Sequence, residues 1–227
     1  MFTKSKVAYV DHMGEDARAA EAARVSFYKE GLGESEGVNE RDAKLIAFLA
    51  RENHTSPFEH SVLSVQIKCP LFVRSQIMRH RTFSYNEVSR RYTSENIEFY
   101  EFDDLRKQSS RNLQCSTEES VEREDRLLEE VKIYQDSAFN MYAYLLAQGV
   151  AREQARAVLP QSLMTSFIMT GNVLNWVKFL RLRLDEHTQP ECREVAQMCY
   201  SILKSHFPHT ANVFGLCGAL GESTCVK

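Results

Sequence analysis

The feature that most restricts the fold is a long helical pattern between Val121 and Gln148. Leu127, Leu128, Val131, Tyr134, Ala138, Met141, Tyr142 and Leu145 recur at three- and four-residue steps, and Gly149 stands where a helix stop belongs. At about 1.5 Å per residue such a helix reaches about 42 Å, more than a small domain needs for its own core. The excess length suits a helix that also supports an assembly of subunits. The chain has 227 residues, 43% of them apolar, and residues 1–227 are read as one globular domain.

Shorter elements follow from local chemistry. Asp16 to Phe27 (DARAAEAARVSF) is alanine-rich with an acidic start, and Asn39 with Asp42 can cap a helix running to about Glu52. Between them KEGLGESEG is a loop whose glycines at 31, 33 and 37 miss the dinucleotide-binding spacing by one residue. In Ser61 to Lys68, Leu63, Val65 and Ile67 alternate with polar neighbours, the period of a half-buried strand. Pro70 suits the first turn of a helix through Leu71 to about His80. Residues 100–120 are polar and serine-rich, a mobile excursion. Further helices are expected at Ala151 to Leu159, Asn172 to Leu184 and Glu191 to His206, the last opened by Pro190 and closed before Pro208.

Several function classes lose support. The first thirty residues lack an apolar signal region, and the longest apolar stretch, near Val213 to Leu220, is too short to span a bilayer, so a soluble cytoplasmic protein with no membrane partner is expected. The cysteines, at 69, 115, 192, 199, 217 and 225, form no CxxC pair and are expected as reduced thiols. Cys192 and Cys199 lie seven apart on one helix, a packing arrangement. His54 with His60, and His206 with His209, lack a third ligand at metal-binding spacing, so no metal is expected. With 28 basic against 31 acidic side chains, the global field does not hold nucleic acid.

Positive charge is instead local. Between Arg74 and Arg91 there are five arginines, one glutamate and no lysine, so the segment carries +4 in a chain whose formal net charge is −3. The remainder is therefore at −7. Arginine offers a planar fork that matches phosphate oxygens. Ser84, Asn86 and Ser89 add neutral donors, and Phe83, Tyr85 and Tyr92 add faces for a flat ring. By composition alone the segment is an anion site, a structural network with Glu52, Glu59, Glu95 or Glu98, or a single-stranded nucleic-acid surface that stacks bases.

Arg79-His80-Arg81, seven residues, then Ser89 and on through Arg91-Tyr92 resembles the RHR-x7-S signature of the flavin-dependent thymidylate synthases. AARVSF at 22–27, HTSPFEH at 54–60, AREQARAVLP at 151–160 and LRLRLDEH at 180–187 resemble further blocks of that family, in family order. The resemblance implies an enzyme that makes dTMP from dUMP, with methylenetetrahydrofolate as carbon donor, FAD as redox carrier and NADPH as reductant. It also implies an α+β subunit, a mainly antiparallel sheet flanked by long helices, in a homotetramer with shared sites. Two phosphorylated ligands and an anionic reduced flavin bring roughly five negative charges together, which an arginine cluster would stabilise.

Carried over by resemblance, Arg79, His80 and Arg81 contact flavin, as do His54, Ser56, Glu87, Asn172, Lys178 and His187. Gln76, Arg79, Glu87, Val88, Ser89, Arg90, Arg91 and Arg156 surround the nucleotide. Arg183 is the catalytic arginine, placed over the uracil where charge develops. Two departures stand out. Leu174 replaces a family arginine and Lys178 a family asparagine, which weakens the FAD contacts; Arg90 is an added charge that faces either the phosphate or solvent. Ser89 has no partner base and is expected to bind, not attack. His80, between arginines, is expected to stay neutral. For Arg183 the competing reading is an i,i+3 ion pair with Glu186. Two alternative functions stay open: a diverged flavin oxidoreductase on this scaffold, or a single-stranded nucleic-acid module.

Overall fold

Asn39 sets the start of a helix by the chemistry its sequence announces. In the computed structural model, which describes residues 1–27 and 37–216, its side chain accepts from the backbone N–H groups of Arg41 and Asp42, and Asp42 accepts in return from the backbone of Asn39. This reciprocal cap begins a helix at Glu40, as expected. Most of the KEGLGESEG loop, Cys217 and Cys225 lie outside the described residues.

The elements in chain order are β1 (Phe2–Thr3), β2 (Lys6–Met13), α1 (Ala17–Val25), α2 (Glu40–Arg51), β3 (Val62–Pro70), α3 (Leu71–Ile77), β4 (Ser84–Glu87) and β5 (Phe99–Tyr100). There follow β6 (Arg106–Gln108), β7 (Ser116–Ser120), α4 (Glu124–Ala147), α5 (Arg152–Ala155), β8 (Met164–Asn172), α6 (Val173–Arg183), α7 (Pro190–His206) and α8 (Pro208–Val213). Strands β2, β3, β8 and β4 form one sheet in that order, β1 pairs with β5 in parallel, and β6 pairs with β7 antiparallel. The mixed fold of antiparallel sheet and helices is the one expected.

Some expectations need correction, and some elements are additions. Residues 100–120 hold the hairpin β6–β7, stabilised by the Lys107–Glu119 ion pair at 3.0 Å and by Gln108, whose amide donates to the carbonyls of Leu113 and Cys115. Helix α3 stops at Ile77, short of His80, because the chain must turn there into strand β4. Residues 151–159 split into α5 and a 3-10 turn at Arg156–Val158. Strands β2 and β8, whose sequences show no clear apolar–polar alternation, are additions to the expected elements. Helix α7 closes at His206, before Pro208, as expected, and Pro208 opens a separate helix, α8, since proline lacks only an N–H that a first helical turn leaves unused.

Two compact units can be distinguished, one of residues 1–6, 68–79 and 86–167, the other of 7–67, 80–85 and 168–227. In the first, Ile97, Phe99, Tyr142, Ala155 and Leu163 form a buried cluster. The buried Gln135 of α4 donates to the carbonyl of Tyr100 at 3.2 Å and to the Ser162 hydroxyl at 2.8 Å, which satisfies its amide N–H groups away from water. Away from this core α4 exposes Ile133, Tyr134, Met141 and Tyr144.

In the second unit Leu63, Val65 and Ile67 of β3 are fully buried, as their alternation predicts, with Trp176, Phe179 and Leu180 of α6. Each such side chain contributes about 1.5–3 kcal/mol. The Trp176 indole N–H donates to the carbonyl of Leu63 at 3.0 Å. Asp16, buried, accepts from the backbone N–H groups of His209 and Thr210 and from the Thr210 hydroxyl, and so caps α8 rather than its own helix. Phe83 packs edge-on against Trp176 at 4.8 Å. It also lies so close to Gly171 that a Cβ there would stand 2.5 Å from its ring. Among the described residues no helix is long and apolar enough to cross a membrane.

Candidate active site

In the first unit a groove of about 710 Å3 is lined by Arg74, Arg90, Arg91 and Arg156, with Glu87, Val88 and Ser89 beside them. Four arginines face it against two glutamates, Glu87 and Glu153. Strand β4 delivers Glu87, and the next residue is fixed by a bond from the Val88 N–H to the carbonyl of Ser166 at 2.9 Å. Glu87 is fully engaged: one oxygen accepts from Arg74 Nη2 at 2.6 Å and Nε at 3.1 Å, the other from Thr165 Oγ1 at 2.7 Å. The following turn is tight, with Tyr92 and Thr93 N–H groups donating to the carbonyl of Ser89. Ser89 Oγ accepts from the Arg91 N–H at 3.3 Å and from its Nε at 3.4 Å.

Arg90 is held by backbone carbonyls. Its terminal nitrogens donate to the carbonyls of Glu95 at 2.5 Å and Asn96 at 3.1 Å, so it clamps the loop after the turn while lining the groove. Arg156, exposed, donates from Nε to the carbonyl of Glu153 at 3.3 Å and faces the same groove. Gln76 accepts at its backbone carbonyl from the Arg79 N–H at 3.4 Å, and Arg79 is exposed. Of the glutamates considered for a structural network, Glu98 pairs with Lys68 and its charge also acts on Arg90, and Glu52 pairs with Arg51.

In the second unit Arg183 donates from Nε to His80 Nε2 at 3.1 Å, across 103 residues of sequence. This bond ties the arginine to the histidine of the RHR turn. Burial, and after it the Arg183 charge, lower the His80 pKa to about 4, so the ring is neutral as expected, though burial and not the neighbouring arginines is the main cause. Arg81 is exposed. Cys192 is buried and its thiol is raised to about 11 by burial, and Cys199 is raised further by the same cause, so both pack as hydrophobes.

The model of the family described as thymidylate synthase complementing protein matches residues 8–209. A flavin-dependent thymidylate synthase of Thermus thermophilus is 42% identical over 205 residues, covering 90% of this chain and 73% of that one. Another, from Pseudothermotoga lettingae, is 41% identical over 208 residues, covering 92% and 89%. The chain belongs to the flavin-dependent thymidylate synthase family. Among solved structures, the UMP/dUMP methylase PolB from Streptomyces cacaoi bound with 5-Br dUMP superimposes with a TM-score of 0.85 at 30% identity, over 94% of this chain and 96% of that chain.

For this flavin-dependent thymidylate synthase family member, the structure places the remaining residues expected at the flavin as follows. His54 is exposed, follows Asn53 in left-handed conformation and packs edge-on to Phe48 at 5.9 Å. Ser56, also exposed, opens a 3-10 turn, Ser56–Glu59. Asn172 spends its side-chain oxygen on the Asn175 N–H at 2.9 Å, capping α6. Lys178 is exposed on α6, whereas Leu174 is buried with the core face of that helix. His187 is exposed and its Nδ1 lies 3.2 Å from Asp185. Arg74 and Thr165 were missed by sequence reasoning. Neither belongs to the RHR signature, and only the pairing of β4 with β8 brings Thr165 to Glu87. Among the described residues no group of three His, Cys, Asp or Glu side chains could hold a metal ion.

Proposed function

We propose that the chain catalyses reductive methylation of dUMP to dTMP, with methylenetetrahydrofolate as carbon donor, NADPH as reductant and FAD as redox cofactor. The working form proposed is a homotetramer with shared sites. Family membership supports methylation of dUMP, and the observation that carries the finer reading is the groove in which Arg91, Arg156 and Ser89 converge, a donor set suited to one phosphate.

The residues matched to flavin contacts fit such a group by their chemistry. Arg79 and Arg81 are exposed cations, His54 and Ser56 are exposed donors, and His80 is a neutral ring able to face a flat heterocycle without adding charge. Asn172 and His187 complete the set, with Lys178 as the cation nearest in sequence to the missing arginine. When bound, FAD supplies the hydride relay; positioning and polarising fall to the protein.

Arg91, Arg156 and Ser89 bind the phosphate, Gln76 and the Val88 backbone orient the nucleotide, and Glu87, held by Arg74 and Thr165, keeps its carboxylate at a fixed place. Arg183 stabilises charge developing on the uracil ring. A preorganised donor of this kind is worth about 100–1,000-fold in kcat. Exposed apolar residues on α4 support the assembly.

A second reading, a flavin oxidoreductase that no longer makes dTMP, draws on buried Leu174, which removes a guanidinium from the cofactor side. Labelled methylenetetrahydrofolate separates the two. Label in dTMP supports the synthase; NADPH oxidation with no label in dTMP supports the oxidoreductase and overturns the first reading.

A further inference from the structure

The contact between His80 and Arg183 fixes more than proximity. An arginine nitrogen has no acceptor capacity, so in the 3.1 Å bond between Arg183 Nε and His80 Nε2 the imidazole must accept. A ring nitrogen that accepts carries no proton, and the single proton of the neutral ring is then at Nδ1. A protonated imidazole could not make this bond, because both of its nitrogens would be donors.

The surroundings hold the ring in place. Phe179 of α6 packs edge-on to it at 4.9 Å and 76°. The Tyr85 hydroxyl donates to the His80 carbonyl at 2.9 Å, and burial raises that phenol to about 12, so it remains a donor at any working pH. Arg183, by contrast, is the last residue of α6, on a long side chain with many rotamers. His80 accepts from Nε, the stem-side nitrogen, and restraint there fixes the plane of the guanidinium.

Resting on the reading of Arg183 as the catalytic arginine, we propose that His80 is a positioning residue: its unprotonated Nε2 holds Arg183, and the ring takes part in turnover as a neutral Nδ1–H group, not as an acid. The role differs from the flavin contact implied by resemblance. It assigns the tautomer and gives the histidine of the RHR turn a partner on α6.

Two measurements on the holoenzyme test this. In 15N-histidine-labelled protein at pH 7.5, His80 should show an unprotonated Nε2 and a protonated Nδ1, and Arg183→Ala should shift both toward the average of exchanging tautomers. In kinetics, His80→Leu should lower kcat about 10–100-fold with KM for dUMP within about threefold, the signature of an interaction used in the transition state. His80→Gln, whose amide oxygen can reach the place of Nε2, should recover most of that loss. Adding His80→Leu to Arg183→Ala should cost little more, since the two act as one unit. A protonated Nε2 in the wild type, full kcat in His80→Leu, or additive losses in the double variant would overturn the proposal. Wild-type turnover by Arg183→Ala would instead bring down the reading of Arg183 and the proposal with it. Failure of positioning alone is distinct, because Arg183→Ala is then crippled while His80→Leu is not.

Discussion

Arg74 places both Nε and Nη2 on a single carboxylate oxygen of Glu87, at 3.1 and 2.6 Å, which leaves the other oxygen for Thr165. The pair removes one positive charge from the groove and converts it into a support for the turn that carries Ser89 and Arg91. Arg74→Lys should keep the charge but lose the two-nitrogen contact, and so behave more like Arg74→Ala than like the wild type. Because the pair is partly solvated, a loss of about 1–2 kcal/mol of stability is expected, with KM for dUMP raised several-fold. Urea denaturation alongside steady-state kinetics checks both.

Phosphate recognition should depend on Arg91 and Arg156 and not on Arg90, which is spent on two backbone carbonyls. Arg91→Ala and Arg156→Ala should each raise the Kd for dUMP about 10–100-fold and narrow the preference for dUMP over deoxyuridine, with charge-assisted hydrogen bonds worth about 1.5–3 kcal/mol at stake. Isothermal titration with both ligands reads this directly. Equal losses for the nucleoside and the nucleotide would place these arginines away from the phosphate.

The neutral state of His80 has a pH consequence. Its pKa is about 4 in the fold against 6.5 for the free side chain, so between those values the unfolded chain binds the additional proton. The stability due to the neutral ring is complete above pH 6.5 and is lost as the pH falls from 6.5 toward 4. About 1–2 kcal/mol is expected once solvent screening of a half-buried group is allowed for. Urea midpoints of the wild type and His80→Gln between about pH 4 and 8 should converge toward low pH. His206, lowered by burial and by His12, acts in the same direction in both proteins and cancels in the comparison.

Gly171 gives Phe83 its place. A methyl group there would meet the Phe83 ring at 2.5 Å, and Phe83 is packed against Trp176 and Phe179 with no slack to yield. Gly171→Ala should therefore cost about 1–3 kcal/mol. Because Phe83 follows the RHR turn by two residues, flavin retention should fall as well. Absorbance of the purified variant near the flavin band, next to its denaturation midpoint, tests the coupling; a stable variant with full flavin content would refute it.

How much was legible beforehand differs from element to element. The Asn39–Asp42 cap, the alternation of Leu63, Val65 and Ile67, and the helical runs at 124–147 and 190–206 were readable because each is dictated by neighbours a few residues away. Strand β8 was not: Thr165, Phe167 and Met169 are buried in a stretch with little contrast between alternate positions, and its hydrogen bonds go to partners distant in sequence. The β6–β7 hairpin was hidden by polar composition, since its stability comes from the Gln108 and Lys107 contacts and not from an apolar face.

The site divides along the same line. The chain's own letters determined which cations were available, the RHR-x7-S spacing that marks the family, and the concentration of positive charge in one segment. Only tertiary structure decided how each cation is spent: Arg74 on Glu87, Arg90 on a loop, Arg183 on His80. The reason is physical. A guanidinium keeps its charge in any setting, so its presence can be read from the chain, but its hydrogen bonds have direction and short reach, and their partners are chosen by which strands and helices the fold brings within about 3 Å.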